Sequence, residues 1–193
     1  MTDVTLATPR LTLREFSAED FAAVHAYGSD PQVTRWTVFG PNSERDTRGF
    51  LQQTRVSRAE RPRRNFDLAV TLSDDGRLIG GCGLRRTDVV GEAFIGYVLR
   101  RDAWGRGYAT EAARALLAFG FERLGLRRIF ADCHPANMAS WRVMEKLGMR
   151  REGHFREEKL VKGEWWDRYV YAMLAPEWRA ARPPNPDDTM SVP

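Results

Sequence analysis

Three consecutive segments between Phe66 and Leu99 restrict the fold of this chain more than any other part of its sequence. The first two, FDLAVTL and RLIGGCGLRR, flank the turn signal Asp75-Gly76 and therefore predict an antiparallel hairpin. The third, AFIGYVL, is almost entirely apolar, which is typical of a strand covered on both faces. We therefore expect a mostly antiparallel sheet with this third strand near its centre.

Helical and strand patterns alternate around these three segments. Ser17 and Ser43 are suited to N-cap two early helices that end near Tyr27 and Ala59. The remaining predicted elements are a strand at Leu11–Phe16, an amphipathic helix at Gly107–Leu124, a strand at Ile129–Cys133, a helix at Asn137–Leu147 and a strand pair turned at Lys162-Gly163. This order predicts a mixed α/β fold, with a mostly antiparallel central sheet flanked by helices.

Length and composition favour one globular domain, and its mildly basic charge would suit an anionic ligand. The 193 residues are 42% hydrophobic and 29% charged, which suits a single core. The net charge of +4 is spread along the chain, and we interpret its one cluster, Arg61, Arg63 and Arg64, as a solvated surface, so no nucleic-acid partner is expected. The sequence has neither a long apolar run nor a signal peptide, so we expect no membrane association and a cytoplasmic location.

The cysteines and the chain ends set further expectations. Cys82 and Cys133 lie in predicted strands without metal-ligand or CxxC spacing, so we expect buried reduced thiols and no metal. The end of the chain, RPPNPDDTMSVP, is rich in Pro and Asp. We therefore predict an N-terminal extension over residues 1–8, a single domain over 9–178 and a disordered tail over 179–193.

The segment from Leu99 to Ala113, LRRDAWGRGYATEAA, joins the third strand to a helix through a loop that contains two glycines. The first N–H groups of a helix lack intrahelical partners and carry partial positive charge, so this junction suits a phosphate or pyrophosphate. Gly105 and Gly107 allow a tight bend and close approach of a ligand to the backbone. Arg100, Arg101 and Arg106 supply guanidinium groups that can contact phosphate.

Two better-known phosphate loops do not fit this segment. A Walker loop requires GxxxxGK[ST], and the dinucleotide-binding fingerprint requires GxGxxG early in a βαβ unit. The string here is GRGYAT, in mid-chain after predicted antiparallel strands. Taken alone, this loop is equally interpretable as a simple turn into a helix.

A second segment, ADCHPANMASWRVMEKLGM from Ala131 to Met149, favours the interpretation of this loop as a ligand site over that of a simple turn. Together the two segments resemble the GNAT N-acetyltransferases, especially the Rim-type branch that acetylates ribosomal-protein N-termini. The family loop, Q/R-x-x-G-x-G/A, is matched by Gly107 and Ala109, with Trp104 in place of Gln or Arg. The family pattern N-x-x-S-x-x-V/L-x-E-K-x-G-F is met by Asn137, Ser140, Val143, Glu145, Lys146 and Gly148, with Met149 in place of Phe. The resemblance covers residues 9–174.

The resemblance implies acetyl-CoA as co-substrate and assigns residues to it. In this family the strand before the loop carries a bulge and splays from its neighbour, leaving a slot for pantetheine. The backbone of Tyr97, Val98 and Leu99 would bind pantetheine and polarise the thioester carbonyl. Asn137 would contact the cofactor near its reactive end. The pyrophosphate would lie on the loop formed by Trp104, Gly105, Arg106, Gly107, Tyr108, Ala109 and Thr110.

Catalysis in such an enzyme needs a base for the amine and an acid for the departing thiolate. The family's usual acid, a Tyr, is replaced here by Met144, and the resemblance assigns the role to Ser140 instead. Asp132 and Glu158 lie where relatives carry a catalytic carboxylate, and a water-mediated base is a third option. Asp132 is equally interpretable as a structural hydrogen-bonding residue, and His134 as either a loop residue or a proton relay.

The resemblance predicts transfer of an acetyl group to a primary amine, on a protein N-terminus or a small molecule, by direct attack in a ternary complex. Because the usual Tyr is missing, the alternative is a non-catalytic acyl-CoA sensor of the same fold. Trp165 and Trp166 are expected in the core or at an interface, which predicts a homodimer. The acceptor would bind near the two early helices, the loop at 36–42 and the late hairpin.

Overall fold

The computed structural model describes residues 3–181, which form one eight-stranded sheet with helices on both faces. The strands are β1 (Leu6–Ala7), β2 (Leu11–Glu15), β3 (Asn65–Leu72), β4 (Leu78–Arg86), β5 (Glu92–Leu99), β6 (Arg128–Cys133), β7 (Arg150–Val161) and β8 (Glu164–Leu174). The helices are α1 (Phe21–Gly28), α2 (Glu44–Ala59), α3 (Tyr108–Ala118), α4 (Met138–Lys146) and α5 (Ala175–Ala180). The predicted mixed α/β class is confirmed.

The strand order is β1-β2-β3-β4-β5-β6-β8-β7, which places β5 inside the sheet as its apolar sequence predicts. Every neighbouring pair is antiparallel except β5 and β6, which are parallel. Helices α3 and α4 cover one face, where Leu116 and Met144 join the main core. Helices α1 and α2 cover the other face around a smaller core that contains Phe16 and Tyr27.

Strands β5 and β6 pair over only three positions, and this sets up the site described below. Their register runs from Glu92 opposite Arg128 to Phe94 opposite Phe130, and β5 then continues to Leu99 without a partner on that side. The sheet therefore opens near its centre, as the resemblance implies. The prediction of a bulge in β5 is wrong, because β4 and β5 pair without a shift. The irregularity lies on β4, where Val70 pairs with Gly80 and Thr71 with Leu78, so that Ile79 is the extra residue.

The helix predicted from Gly107 to Leu124 consists of two parts. The α-helix ends at Ala118, and a wider π-helical turn spans Phe119–Arg123. A Cβ on Gly120 would stand 2.5 Å from Ile129 Cδ1, so the missing side chain lets this turn lie directly against the sheet. Wider turns of this kind are rare in helices. Here the turn buries three consecutive residues, 119–121, where a regular amphipathic helix would turn one of them outward.

The solvated-surface interpretation of the arginine cluster is wrong for Arg63. Its side chain is 3% exposed and pairs with Glu15 through Nη1–Oε1 and Nη2–Oε2 contacts of 2.8 and 3.0 Å. The guanidinium also lies 4.5 Å from the ring centroid of Phe66. Sequence alone shows three nearby arginines, whereas the register of β2 against β3 decides which of them meets a carboxylate.

We expect Arg63→Met to lower the free energy of unfolding by about 3 kcal/mol, because it leaves the buried carboxylate of Glu15 without its cation. The matched control is Arg64→Met, whose exposed pair with Asp88 should contribute little. Urea denaturation of the two variants provides the measurement. Equal stability of both would show that the buried pair does not stabilise the fold.

The chain ends and cysteines complete the fold. Strand β1 pairs with β2, and α5 follows β8 as far as Ala180. Residues 182–193 of the predicted tail lie outside the described residues. Cys82 and Cys133 are free and buried, which confirms their prediction. Within residues 3–181, no helix has the length and hydrophobicity that crossing a bilayer requires.

Candidate active site

A cavity of about 2550 Å³ runs through the opening between β5 and β6 and reaches both faces of the sheet. On one side it is lined by the ends of α3 and α4, and on the other by α1, α2 and the loop between them. Lys159 of β7 and Trp166, Asp167 and Arg168 of β8 form a further wall. Small-molecule sites usually measure about 300–1,000 Å³. This cavity therefore has room for a large ligand and a second substrate together.

The loop between β5 and α3 has the geometry of an anion site. Gly105 and Gly107 have φ angles of 73° and 81°, values that favour glycine over any other residue. Gly107 is the N-cap of α3, and the first helical N–H to bond back is that of Glu111, at 3.1 Å from the Gly107 carbonyl oxygen. The N–H groups of residues 108–110 precede it and are therefore available to a ligand.

Most of the residues predicted for the cofactor line this cavity. They are Tyr97, Val98, Leu99, Trp104, Gly105, Gly107, Tyr108, Ala109, Thr110 and Asn137. The guanidinium candidates Arg100, Arg101 and Arg106 are outside this lining. Arg101 instead donates to Asp30 at 2.7 Å, and Arg100 to Asp102 at 3.2 Å. Arg100 and Arg101 thus pair with carboxylates next to the loop, and the three guanidinium contacts to phosphate stay predictions.

Arg10 holds the loop from outside, a role that sequence reasoning missed. Its Nη1 donates to the carbonyl oxygen of Arg106 at 2.9 Å, and its Nε donates to Glu111 at 2.7 Å. The same guanidinium lies 4.7 Å from the ring centroid of Tyr108. Arg10 therefore fixes both ends of the glycine turn. Its only signal in the sequence is a basic residue just before the first predicted strand.

Ser140 lies across the opening from β5 and contacts Tyr97, which was predicted only as a backbone contact. The Tyr97 hydroxyl donates to the Ser140 carbonyl oxygen at 3.0 Å and lies 3.2 Å from Ser140 Oγ. Burial raises the pKa of Tyr97, although its hydrogen bond to Ser140 opposes this, so the hydroxyl keeps its proton. Met144, one turn further along α4, is buried beside them. Two hydroxyl groups within hydrogen-bond distance of each other thus lie near Met144, which replaces the Tyr that serves as the acid in this family.

Neighbouring groups hold Ser140 in place. Asn137 N-caps α4 by accepting the Ser140 N–H at 3.3 Å, so its side chain positions the first turn of the helix. Burial raises the pKa of Cys133 to about 12, so this thiol next to Ser140 stays protonated. Ser140 thus lies between a helix cap and a protonated thiol.

The two predicted carboxylate bases share one cation. Arg168 on β8 donates through Nη1 to Asp132 at 2.8 Å and through Nη2 to Glu158 at 2.6 Å. Each carboxylate therefore has one oxygen engaged by a guanidinium. The structural interpretation of Asp132 gains support from this pairing.

His134 belongs to an aromatic wall rather than to a proton chain. Its ring stacks on Trp36 at 4.5 Å and meets Trp166 edge-on at 5.2 Å. Burial lowers the pKa of His134, and its Nδ1 accepts the N–H of Ala136 at 3.1 Å, so the neutral ring carries its proton on Nε2. It can therefore donate a hydrogen bond at Nε2 but is poorly placed to accept a proton there.

The tip of the late hairpin closes this wall. Lys162 donates to the carbonyl oxygen of Thr34 at 2.7 Å, which joins the β7–β8 turn to the loop before Trp36. Trp166 faces the cavity, whereas Trp165 is 62% exposed on the outer side. Within residues 3–181, no group of three or more His, Cys, Asp or Glu side chains is placed to hold a metal ion.

The sequence of this chain is similar to those of known acetyltransferases. The acetyltransferase (GNAT) domain family matches residues 10–150. A Bacillus subtilis protein described as the uncharacterized N-acetyltransferase YnaD is 39% identical over 173 residues, which cover 90% of this chain and 98% of that protein.

Solved structures show the same architecture. An acetyltransferase of the GNAT family from Bacillus anthracis superimposes with a TM-score of 0.81 at 37% identity, covering 90% of this chain and 100% of that one. Mycobacterium smegmatis RimJ, in complex with CoA-disulfide, gives a TM-score of 0.77 at 26% identity, covering 91% of this chain and 88% of that one.

Proposed function

This chain belongs to the GNAT acetyltransferase family, and we propose that it transfers an acetyl group from acetyl-CoA to a primary amine within a ternary complex. The observation that carries the proposal is the opening beyond Phe94, where β5 loses its partner strand and leads directly to the glycine turn at the start of α3. Pantetheine would lie along the free edge of β5, and the pyrophosphate would lie on the N–H groups of residues 108–110.

The residues of the opening supply the chemistry of the transfer. Backbone N–H groups on the free edge of β5 near Val98 polarise the thioester carbonyl. The acceptor nitrogen attacks this carbon from the face covered by α1 and α2, and the carbon–sulfur bond breaks. Ser140 Oγ gives its proton to the departing sulfur. The Tyr97 hydroxyl lies within hydrogen-bond distance of this oxygen, at 3.2 Å. Because both substrates fit one cavity, no acyl-enzyme intermediate is required.

A thiol-release screen tests the proposed function. The protein is mixed with acetyl-CoA and a panel of peptides with free N-termini, lysine peptides, polyamines and amino acids. We expect amine-dependent release of free CoA thiol and a product heavier by one acetyl group, with peptide N-termini favoured by the resemblance to the Rim-type branch. If calorimetry shows acetyl-CoA binding but no amine is acetylated, the protein is a sensor rather than an enzyme.

We further propose a homodimer formed through the β7–β8 hairpin. This hairpin ends the sheet and exposes Phe155, Leu160 and Trp165, with 46%, 57% and 62% of their surface accessible. Light scattering at micromolar concentration should give about twice the 22.1 kDa chain mass. Trp165→Glu should yield a monomer, whereas Val90→Glu, on an exposed loop elsewhere, should not. A monomeric wild type would disprove the dimer.

A further inference from the structure

Asp67 is an acidic residue inside the cavity that the sequence patterns did not single out. It lies on β3, on the sheet face that α1 and α2 cover, next to Ala69 of the smaller core. Across the sheet it stands opposite Gly83 on β4, and Gly83 stands opposite Gly96 on β5. One row of three residues thus runs from a carboxylate to the strand that borders the opening.

The carboxylate of Asp67 leans along this row towards β5. Its Oδ1 lies 2.7 Å from the position that a Cβ of Gly83 would take, so only glycine leaves space for it. Gly96 adds no side chain in the next position. Neighbouring strands are about 4.8 Å apart, which places the backbones of Asp67 and Gly96 roughly 10 Å from each other. The Phe94 ring borders this gap, 3.4 Å from the Cβ position of Gly96, and the distance between the backbones is long enough for an amine and its first carbon atoms.

Asp67 has no hydrogen bond or ion pair within residues 3–181, in contrast to Asp132 and Glu158. Of the two guanidinium groups nearest to it, that of Arg63 is bound to Glu15, and that of Arg85 donates to Asn65 at 3.1 Å. The other titratable neighbours, Tyr27 and Cys82, are buried and stay neutral, because burial raises the pKa of each.

Burial also raises the pKa of Asp67, although the charges of Arg85 and Arg63 oppose this change. Asp67 is partly buried, and a carboxylate that has lost part of its water and has no partner favours the arrival of a cation. A raised pKa also makes it a stronger base than an ordinary carboxylate. Both properties suit a substrate that arrives as an ammonium ion and must lose a proton before it can react.

We propose that Asp67 binds the ammonium group of the acceptor and takes its proton, directly or through one water molecule. This inference rests on the proposed function. The carboxylate gains one proton as the ammonium becomes a neutral amine, and the nitrogen lone pair then forms the new bond to the thioester carbon. As the carbon–sulfur bond breaks, the thiolate gains the proton of Ser140, and Ser140 Oγ regains one from the nitrogen through water. Asp67 returns its proton to solvent.

Asp67→Asn tests the proposal with an acceptor found in the thiol-release screen. Near neutral pH we expect kcat/KM to fall by about 10²–10⁴-fold, with the affinity for acetyl-CoA unchanged in calorimetry. The deficit should shrink as pH rises past the pKa of the amine, because the free amine needs no base. Wild-type kcat/KM should rise with pH through the raised pKa of Asp67, and the variant should lack this rise. Asp74→Asn, at an exposed aspartate in the β3–β4 turn outside the cavity lining, is the matched control.

Gly83→Ala provides a second variant that keeps the carboxylate but displaces it. The new methyl group would meet only the end of a side chain, so the fold should survive while Asp67 turns away. We expect the same pH-dependent loss, whereas Gly153→Ala, whose Cβ would press only on the Phe155 ring outside the cavity lining, should stay active. If the wild type is active and the kcat/KM of Asp67→Asn is unchanged, the role of Asp67 is overturned while the proposed function stands. A wild type that acetylates no amine overturns the proposed function and this inference together.

Discussion

Replacing Gly107 with Val is expected to lower the affinity for acetyl-CoA by about 10²–10⁴-fold. Gly107 has a φ of 81° and forms the N-cap of α3, so its missing side chain lets a diphosphate reach the helix N–H groups. A hydrogen bond to a charged group contributes about 1.5–3 kcal/mol, and loss of two such bonds corresponds to this range. A Val side chain would also press on Arg10, whose Nη2 lies 3.4 Å from the Cβ position.

The matched control for this variant is Gly76→Val. Gly76 has a similar φ of 71° in the β3–β4 turn, with nothing near its Cβ position, so it carries the same backbone strain far from the loop. Calorimetry should find normal acetyl-CoA affinity for Gly76→Val and weak or absent binding for Gly107→Val. Circular dichroism checks that both variants fold. Unchanged affinity of a folded Gly107→Val protein would mean that the diphosphate binds elsewhere.

Replacing Ser140 with Ala is expected to lower kcat by about 10²–10⁴-fold while leaving the affinity for acetyl-CoA nearly unchanged. The hydroxyl stands 3.2 Å from that of Tyr97, and Met144 offers no alternative proton one turn later. Tyr97→Phe should produce a smaller loss, because it removes the group behind Ser140 but leaves the donor itself. Ser73→Ala, in the β3–β4 turn, is the control and should be fully active.

Steady-state kinetics and calorimetry together separate the possible roles of Ser140. A fall in affinity without a fall in kcat would identify a binding residue. Full activity of Ser140→Ala would rule out proton donation by this side chain and leave water, or the Nε2–H of His134, as the source. If Tyr97→Phe were more damaging than Ser140→Ala, the tyrosine hydroxyl itself would be the proton donor.

Features that depend on a few consecutive residues could be predicted from the sequence. Ser43 caps α2 through the N–H of Asp46, and Gly148 ends α4 with a φ of 83°, as their residue types indicate. The alternation of apolar residues predicted the strands, and the two glycines before α3 predicted the anion loop. The reason is that caps, turns and strand faces are decided by contacts within about four residues.

The tertiary structure decided which distant residues meet. Arg63 reaches Glu15 across 48 residues, Tyr97 reaches Ser140 across 43, and Arg168 joins Asp132 to Glu158. Such contacts depend on which strands are neighbours and on their register, since a shift of one residue turns every side chain to the opposite face.

Asp67 illustrates this division between sequence and structure. In the sequence it is one polar residue among apolar ones in a strand, which by alternation indicates only that it faces away from the main core. The pairing of β3 with β4 and of β4 with β5 places two glycines beside it and gives its carboxylate an open path to β5. The sequence alone therefore determined most of the strands and helices, the loop and the family, whereas the register of the sheet decided which acidic side chain faces β5, because only the folded sheet brings these strands together.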